Sequence, residues 1–490
     1  MKGLASSPSD PEALCTAPSK RSRFPQRLLA VLALCCLISF TSPFETTATF
    51  NGLRRLVLGV KDWVTPLPRD PYQRGTRLLG RSPVIDGHID LPILARWYYA
   101  NQIDDPEFDL RAPTKGEVDI PRLRKGKVGG FFWSVFVPCA EDLGYPEEND
   151  GNFTTPTWRV RDTLEQIDTA RLLMEKYDDV FEFAATAKDW RKAIEKGKIA
   201  GMLGVEGGHQ LGSSLSTLRT YYSLGARYVT LTHTCNSPLA DSCGYMGKPV
   251  SQRWDGLSPF GKVAVKEMNR LGMMVDVSHT HPKSASDALT LSEAPVIFSH
   301  SNARGVHDVV RNVPDSILRR IGNLDPTRRG KFNLSEDGEH GQGWGADTHE
   351  IDREIPGGDA IVMLNFSPPF VTEGKADVRA MADHADYIGR LAGRQHVGIG
   401  SDFDGIESTP EGLEDVSTYP NLIAELIRRG WSDKEIRGLA SENILRILDK
   451  VEAVTRKLKH VKPYTDVFAG RSDLQKHESR PGLLAEKGEL

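Results

Sequence analysis

The sequence predicts an α/β fold, a (β/α)8 TIM-type barrel, on three observations: recurrent short apolar runs, helix-like sequence between them, and a length that one such barrel with insertions and tails consumes. The runs are 83–89, 129–137, 199–205, 226–232, 273–277, 294–298, 360–366 and 396–400, eight in all. Each is ended by polar or Gly-rich residues. Continuous apolar runs of this length belong to strands buried on both faces, as a parallel sheet demands. Stretches with helical spacing lie between them at 157–177, 215–224, 258–271, 282–291, 314–321 and 377–391. Alternation repeated this often favours a closed barrel over a doubly wound open sheet. One large domain is therefore expected over 81–455 of the 490 residues.

The chain ahead of that domain reads differently. Residues 1–27 are polar and end in the basic group Lys20, Arg21, Arg23 and Arg27, which precedes an apolar run at 28–40 in the segment 28–41. A basic lead and an apolar core are the parts of a secretory signal. The run is short for a spanning helix, which needs about 20 apolar residues. A cleaved signal and a type II signal anchor both stay open. The long polar lead, and the lack of a small-x-small site after Phe40, favour an anchor. Either places the main domain outside the cytosol. Residues 42–80 read as a linker and lead-in.

Towards the other end, 323–358 is rich in Gly, Asp, Glu and His without an apolar period and reads as an inserted surface loop. Residues 419–454 have helical spacing and are expected to pack on the barrel. From Arg456 the chain turns charged, so 456–490 is expected to be a loosely ordered polar tail. Its last stretch lacks the hydrophobic end of a GPI signal. The net charge of −4, from 62 Lys and Arg against 66 Asp and Glu, gives no basic field to hold nucleic acid.

Of the 6 cysteines, Cys15, Cys35 and Cys36 lie in or before the signal segment, leaving Cys139, Cys235 and Cys243, of which two can pair outside the cytosol. Asn152 and Asn333 begin N-glycosylation sequons in polar surroundings. Asn365-Phe-Ser367 also fits but lies in an apolar run, so it is expected to be buried.

The chemistry follows the strands. His88 and Asp90 end the first run, Glu206 follows the third, His233 the fourth, His279 the fifth, His300 the sixth and Asp402 the eighth. Each has an ordinary structural reading alone: a hydrogen-bonded imidazole, a capping carboxylate. Together they do not, because in a barrel these positions converge on one mouth, where catalytic groups sit. Imidazole nitrogens and carboxylate oxygens suit Zn²⁺. His88 and Asp90, two residues apart, share a strand face and suit one ion. His279 and His300 suit a second, and a glutamate between can hold two ions roughly 3.5–4 Å apart.

The motifs Asp86-Gly-His88-Ile-Asp90-Leu-Pro92, Gly204-Val-Glu206-Gly-Gly-His209, Leu231-Thr-His233-Thr-Cys235-Asn236, Gly256-Leu-Ser-Pro-Phe-Gly261 and Asp276-Val-Ser-His279 resemble those of the membrane (renal) dipeptidase family of zinc metallopeptidases. So do Ser299-His300-Ser301, Arg311-Asn-Val-Pro-Asp315 and Gly398-Ile-Gly-Ser-Asp402-Phe-Asp404-Gly405. The resemblance runs from about residue 84 to about residue 451, with 323–358 as an insertion. It implies a metal-dependent, amidohydrolase-like barrel that hydrolyses dipeptides through a hydroxide bridging two Zn²⁺. His88 and Asp90 are implied as ligands of one ion, Glu206 as the bridge, and His279 and His300 as ligands of the other. His233 is implied to steady the oxyanion, Arg311 to take the substrate's C-terminal carboxylate and Asp402 to handle the proton. A Cys139–Cys235 disulfide and a homodimer are implied too. Ile89 departs from the family, which usually has Asn there. His281 leaves the sequence His279-Thr-His281 ambiguous, and motif alignment favours His279. The rival readings are a lactonase or deaminase on the same barrel, and a non-catalytic barrel that only binds.

Overall fold

Eight parallel strands close into a barrel because each apolar run is followed by a helix that returns the chain to the same end. The computed structural model describes residues 66–139, 153–154, 158–245, 250–322 and 358–469, together with 471 and 474. The apolar run 28–40, both polar sequons at Asn152 and Asn333, and all but the last residue of 323–358 lie outside the described residues. Among the described residues no helix is long and apolar enough to cross a membrane. From Pro68 onward the chain forms one unit.

The barrel strands are β1 (Val84–Ile89), β2 (Val128–Phe136), β4 (Ile199–Glu206), β5 (Ala226–Thr230), β6 (Met274–Asp276), β7 (Val296–Phe298), β8 (Ala360–Leu364) and β9 (Val397–Ile399). They pair in the ring order β1-β2-β4-β5-β6-β7-β8-β9, with β9 returning to β1. One further strand, β3 (Phe181–Phe183), was not foreseen. β2 occupies one edge of β4 over Ala200 to Glu206. The other edge is shared, with β3 against Ile199 to Gly201 and β5 against Leu203 to Glu206. The extra strand thus supports the end of the barrel remote from the mouth without enlarging the ring.

The helices follow the predicted stretches closely. They include α1 (Pro71–Arg81), α2 (Leu91–Tyr99), α3 (Arg159–Lys176), α4 (Ala187–Glu195), α5 (Leu215–Leu224), α6 (Pro259–Leu271), α7 (Pro282–Leu291), α8 (Asp315–Gly322), α9 (Val378–Ile388), α10 (Tyr419–Arg428) and α11 (Asn443–Lys457). Their starts are legible: Ser258 Oγ accepts from Gly261 N at 2.8 Å ahead of Pro259, and the Asp377 carboxylate accepts from Arg379 N and Ala380 N. The core is made of strand residues such as Phe132, Met202, Met274 and Ile361 against Trp190 of α4 and Ile444 and Ile447 of α11.

Two features at the edges of the domain add to the reading of the sequence. The lead-in assigned to 42–80 contains α1, capped by Asp70, whose Leu78 and Leu79 are buried and whose Gly75 lies against Ile423 of α10. The tail assigned to 456–490 is anchored as far as Phe468. Arg219 Nη1 donates to the Tyr464 carbonyl at 2.9 Å, Tyr464 N donates to Glu267, and the Phe468 ring packs on Phe153, Trp254 and Phe260. One aromatic and the backbone suffice, because the loops they meet come from distant sequence.

His384 of α9 ties the helix layer to the mouth loops. Its Nδ1 accepts from Ala303 N at 3.1 Å and its Nε2 donates to the Val371 carbonyl at 2.9 Å, so the ring must be neutral. Burial pushes its pKa down to about 4. The unfolded chain therefore takes a proton near pH 6.5 that the folded chain refuses until about pH 4. Stability attributable to this group is intact above about pH 6.5 and falls by about 1.4 kcal/mol per pH unit as pH drops towards 4. Urea unfolding of wild type and His384→Gln at pH 7 and pH 5 checks this; the variant is expected to show the shallower loss on acidification.

Candidate metal centre

The sequence-predicted metal-ligand and proton-handling residues sit at the same end of the barrel. His88 lies in β1 and Asp90 immediately after it; Glu206 is the last residue of β4. His233, His279, His300 and Asp402 follow β5, β6, β7 and β9 by two to three residues. His88 Nε2 lies 3.2 Å from Asp90 Oδ2 and 3.5 Å from Glu206 Oε2. The other oxygen, Glu206 Oε1, is 3.1 Å from His279 Nε2, 3.2 Å from His300 Nε2 and 3.7 Å from His233 Nε2. One carboxylate thus divides its two oxygens between two groups of ligand-type atoms. Asp402 Oδ1 closes the site 3.9 Å from His88 Nε2.

The surrounding hydrogen bonds fix which ring nitrogens face inward. The Tyr228 hydroxyl donates to the Gly87 carbonyl at 3.3 Å, so at 2.8 Å it accepts from His88 Nδ1. The Ser299 hydroxyl donates to Asp276 Oδ2 at 2.6 Å and so accepts from His300 Nδ1 at 2.7 Å. With both Nδ1 atoms protonated, both Nε2 atoms present lone pairs to carboxylate oxygens. His88 Nε2 and Asp90 Oδ1 are buried without a hydrogen-bond partner. Lone pairs facing lone pairs in a buried site need a cation between them, and two imidazole sets joined by a carboxylate are a donor set suited to divalent metal. His88 with Asp90 and Glu206, and Glu206 with His233 and His279, form compact ligand groups.

The charges agree. Burial pushes the Glu206 carboxyl up, offset in part by His88. Burial pushes Asp402 well up, and the nearby charges of Asp90 and Glu206 add to it. Burial pushes His233, His279 and His300 well down, with Arg311 adding in each case. His88 goes the other way: burial would lower it, but Tyr228 and the carboxylates of Glu206 and Asp90 carry it above the usual imidazole range, so that a proton on Nε2 answers the same demand for positive charge that a metal cation would meet. A metal cation would relieve this by stabilising ionised carboxylates beside neutral imidazoles.

Two acids missed as functional in the sequence build the frame. Asp86 accepts from His88 N and Ser401 N and from the Tyr419 hydroxyl at 2.6 Å, joining the ends of β1 and β9 to α10. Asp276 accepts from Ser278 N, Ser299 N and the Thr230 hydroxyl, joining the ends of β5, β6 and β7. The readable signal was an acid two or three residues before each histidine. Beside β9, Asp404 Oδ1 accepts from Glu117 N at 2.7 Å while Glu117 Oε2 accepts from Asp404 N at 2.8 Å. This clasp holds a turn in which Asp402 and Asp404 have φ of 67° and 66°, and His279 is likewise left-handed at 61°. Such backbone is disfavoured for non-glycine residues and persists where the surroundings impose it. Gly204 matters for a different reason: a Cβ there would lie 1.9 Å from the Tyr228 ring that steadies His88.

Arg311 is buried, with Nη1 donating to Ser301 Oγ at 3.0 Å and Nη2 to the His300 carbonyl at 2.9 Å. Among the described residues no carboxylate pairs with it, which leaves a buried cation fit for an anionic group. His281 is excluded from the centre, since its Nδ1 caps α7 by accepting from Lys283 N and its Nε2 meets Gln252. Ile89 is buried and pairs with Phe403 in the barrel wall. The disulfide joins Cys139 and Cys235, closing a loop of 96 residues beside His233, and Cys243 is a buried free thiol. Closing a loop of that length stabilises by about 4–5 kcal/mol in the chain-entropy account.

The Tyr228→Phe variant is expected to keep the fold and weaken metal binding about 10–100-fold, because the His88 tautomer loses its anchor. Competition with a chelator of known affinity measures this, and an unchanged affinity would remove Tyr228 from the account.

Several solved structures are similar to this chain. A metallopeptidase from Rhodobacter sphaeroides, liganded with a phosphinate mimic of the dipeptide L-Ala-D-Ala, is 26% identical with a TM-score of 0.59, covering 75% of this chain and 99% of that one. The dipeptidase AC, a family M19 metallopeptidase, is 25% identical with a TM-score of 0.58, covering 75% and 98%. The probable dipeptidase PvdM from Pseudomonas aeruginosa shares the fold at 22% identity and a TM-score of 0.62, covering 79% and 100%. The sequence model of the membrane dipeptidase family matches residues 72–325 and 350–462, and its break falls inside the stretch read as an insertion. A match over most of the chain, on a barrel whose mouth gathers side chains able to hold a metal ion, shows that the protein belongs to the membrane dipeptidases, peptidase family M19, and is a metal-dependent hydrolase of dipeptides.

Proposed function

We propose that the chain is a zinc dipeptidase in which His88, Asp90 and Glu206 hold one ion and Glu206, His279 and His300 hold a second. The observation that carries the reading is the division of Glu206, with Oε2 towards His88 and Oε1 towards His279 and His300. When bound, such a pair acidifies a water and polarises the scissile carbonyl.

The chain's own groups supply the remainder. Asp402 accepts the proton lost by the attacking water and passes it to the departing amine, acting first as base and then as acid. His233, a part-buried imidazole 3.7 Å from Glu206 Oε1, donates to the oxygen on which charge develops. Arg311 receives the substrate's C-terminal carboxylate, and the Phe370 ring 5.6 Å from its guanidinium carbon lies beside that position. A free C-terminus held at a fixed distance from the metal pair restricts the enzyme to very short peptides. Lactones and nucleobases lack the carboxylate that a buried, acid-free arginine calls for, which favours dipeptides over those substrates.

The disulfide fits an oxidising compartment. We infer from it and from the basic lead and apolar run at 28–40 that the enzyme is held by an N-terminal signal anchor with its barrel outside the cytosol. Recovery of uncleaved chain in the membrane fraction is expected, and a soluble product beginning after residue 40 would overturn the anchor.

Asp402→Asn is expected to retain its metals and lose about 10²–10⁴-fold in kcat; metal analysis beside steady-state kinetics reads both, and near-normal kcat would contradict the proton role. Arg311→Ala is expected to raise KM for a dipeptide at least about 10-fold while leaving an amidated dipeptide little changed. Equal loss for the two substrates would remove the clamp.

A further inference from the structure

Asn365 follows β8 directly, and the sequence marks it only as the start of a buried sequon. Its side chain is 1% exposed, so no glycan occupies it. Its amide is held at both ends. Oδ1 accepts from Ser367 N at 2.6 Å, which leaves the NH₂ group to face the other way, and Nδ2 donates to Asp402 Oδ2 at 2.9 Å. The backbone behind it is fixed as well. Asn365 N donates to Asn302 Oδ1 at 3.2 Å and its carbonyl accepts from Asn302 Nδ2 at 2.8 Å. Asn302 is fully buried in the loop that follows His300 and Ser301.

We propose that Asn365 is a positioning residue that makes the two oxygens of Asp402 unequal, so that only Oδ1 carries the proton. The inference rests on the reading of Asp402 as the proton carrier. The amide N–H can donate to Oδ2 but cannot give up or take a proton at neutral pH. Oδ2 is thereby occupied by a donor throughout turnover. Oδ1 faces His88 Nε2 at 3.9 Å on the cavity side, and it is the oxygen left to act. The proton of the attacking water moves to Oδ1. The same proton then leaves Oδ1 for the amine nitrogen as the C–N bond breaks, and the carboxylate returns to its starting state. The left-handed backbone at Asp402 aims the side chain, and Asn365 fixes its rotation about the last bond. Without that contact the carboxylate turns, and the proton is carried in the reactive direction for only part of the time.

The test is a double-mutant cycle on the metal-loaded enzyme with a dipeptide substrate, using Asn365→Leu, Asp402→Asn and the pair. Asn365→Leu alone is expected to lower kcat about 10–100-fold with KM within about 2-fold. In the Asp402→Asn background, single-turnover rates are expected to change by less than about 3-fold on adding Asn365→Leu, because the partner through which it acts is already gone. Metal content and Tm are read for each protein. If Asn365→Leu does not fold, Asn365→Ser, which fits the same space with a hydroxyl too short to reach Oδ2, takes its place with the same expectations. Loss by the same factor in both backgrounds, or kcat near wild type in the single variant, overturns the positioning role while leaving Asp402 as the proton carrier. Near-normal kcat in Asp402→Asn alone instead overturns the reading beneath it.

Discussion

The molecule is organised around one carboxylate whose two oxygens serve different neighbours. Glu206 ends β4 inside the barrel mouth, with His88 on one oxygen and His279, His300 and His233 around the other. In a site this buried, acceptor atoms crowded at 3–4 Å repel unless positive charge sits among them. Burial raises the carboxyls of Glu206 and Asp402 and depresses the imidazoles of His233, His279 and His300, with neighbouring charges as the smaller influence. The architecture makes sense as a receptor for cations, and the family to which the chain belongs uses a metal.

Holding such a site together requires a stiff frame, which the barrel supplies by hydrogen bonds beyond the end of its regular ladder. Asp86 and Asp276 play equivalent parts a few strands apart: each carboxylate takes backbone N–H groups from two neighbouring strand ends, so the loops carrying His88, Ser401, Ser278 and His300 cannot drift independently. Asp86 is held so far from water that burial raises its pKa to about 6 against hydrogen bonds from Tyr419, His88 and Ser401. The left-handed residues His279 and Asp402 are paid for by this frame, since their carbonyl and amide groups are engaged by Cys243 and His88.

Much of this was legible in the sequence because the barrel rule converts one-dimensional pattern into place. Apolar runs give strands, and polar residues just past them must share the mouth, so His88, Asp90, Glu206, His233, His279, His300 and Asp402 could be grouped before any coordinates. Other parts had no local signal. β3 is three residues long, below the length at which an apolar run stands out. The clasp between Glu117 and Asp404 joins residues 287 apart, and the anchoring of Tyr464 by Arg219 joins residues 245 apart. Asn365 carried a misleading signal, a sequon, while its role depends on Asp402 lying within reach of its amide. α1 was missed although Asp70 and Pro71 mark its start, because its buried face rests on α10, far along the chain.

Diffraction from crystals of the metal-loaded enzyme, recorded on both sides of the zinc absorption edge, tests the central claim most directly. Two anomalous peaks about 3.5–4 Å apart are predicted, one on each side of the Glu206 carboxylate. A single peak, or peaks that Glu206 does not reach with both oxygens, would contradict it.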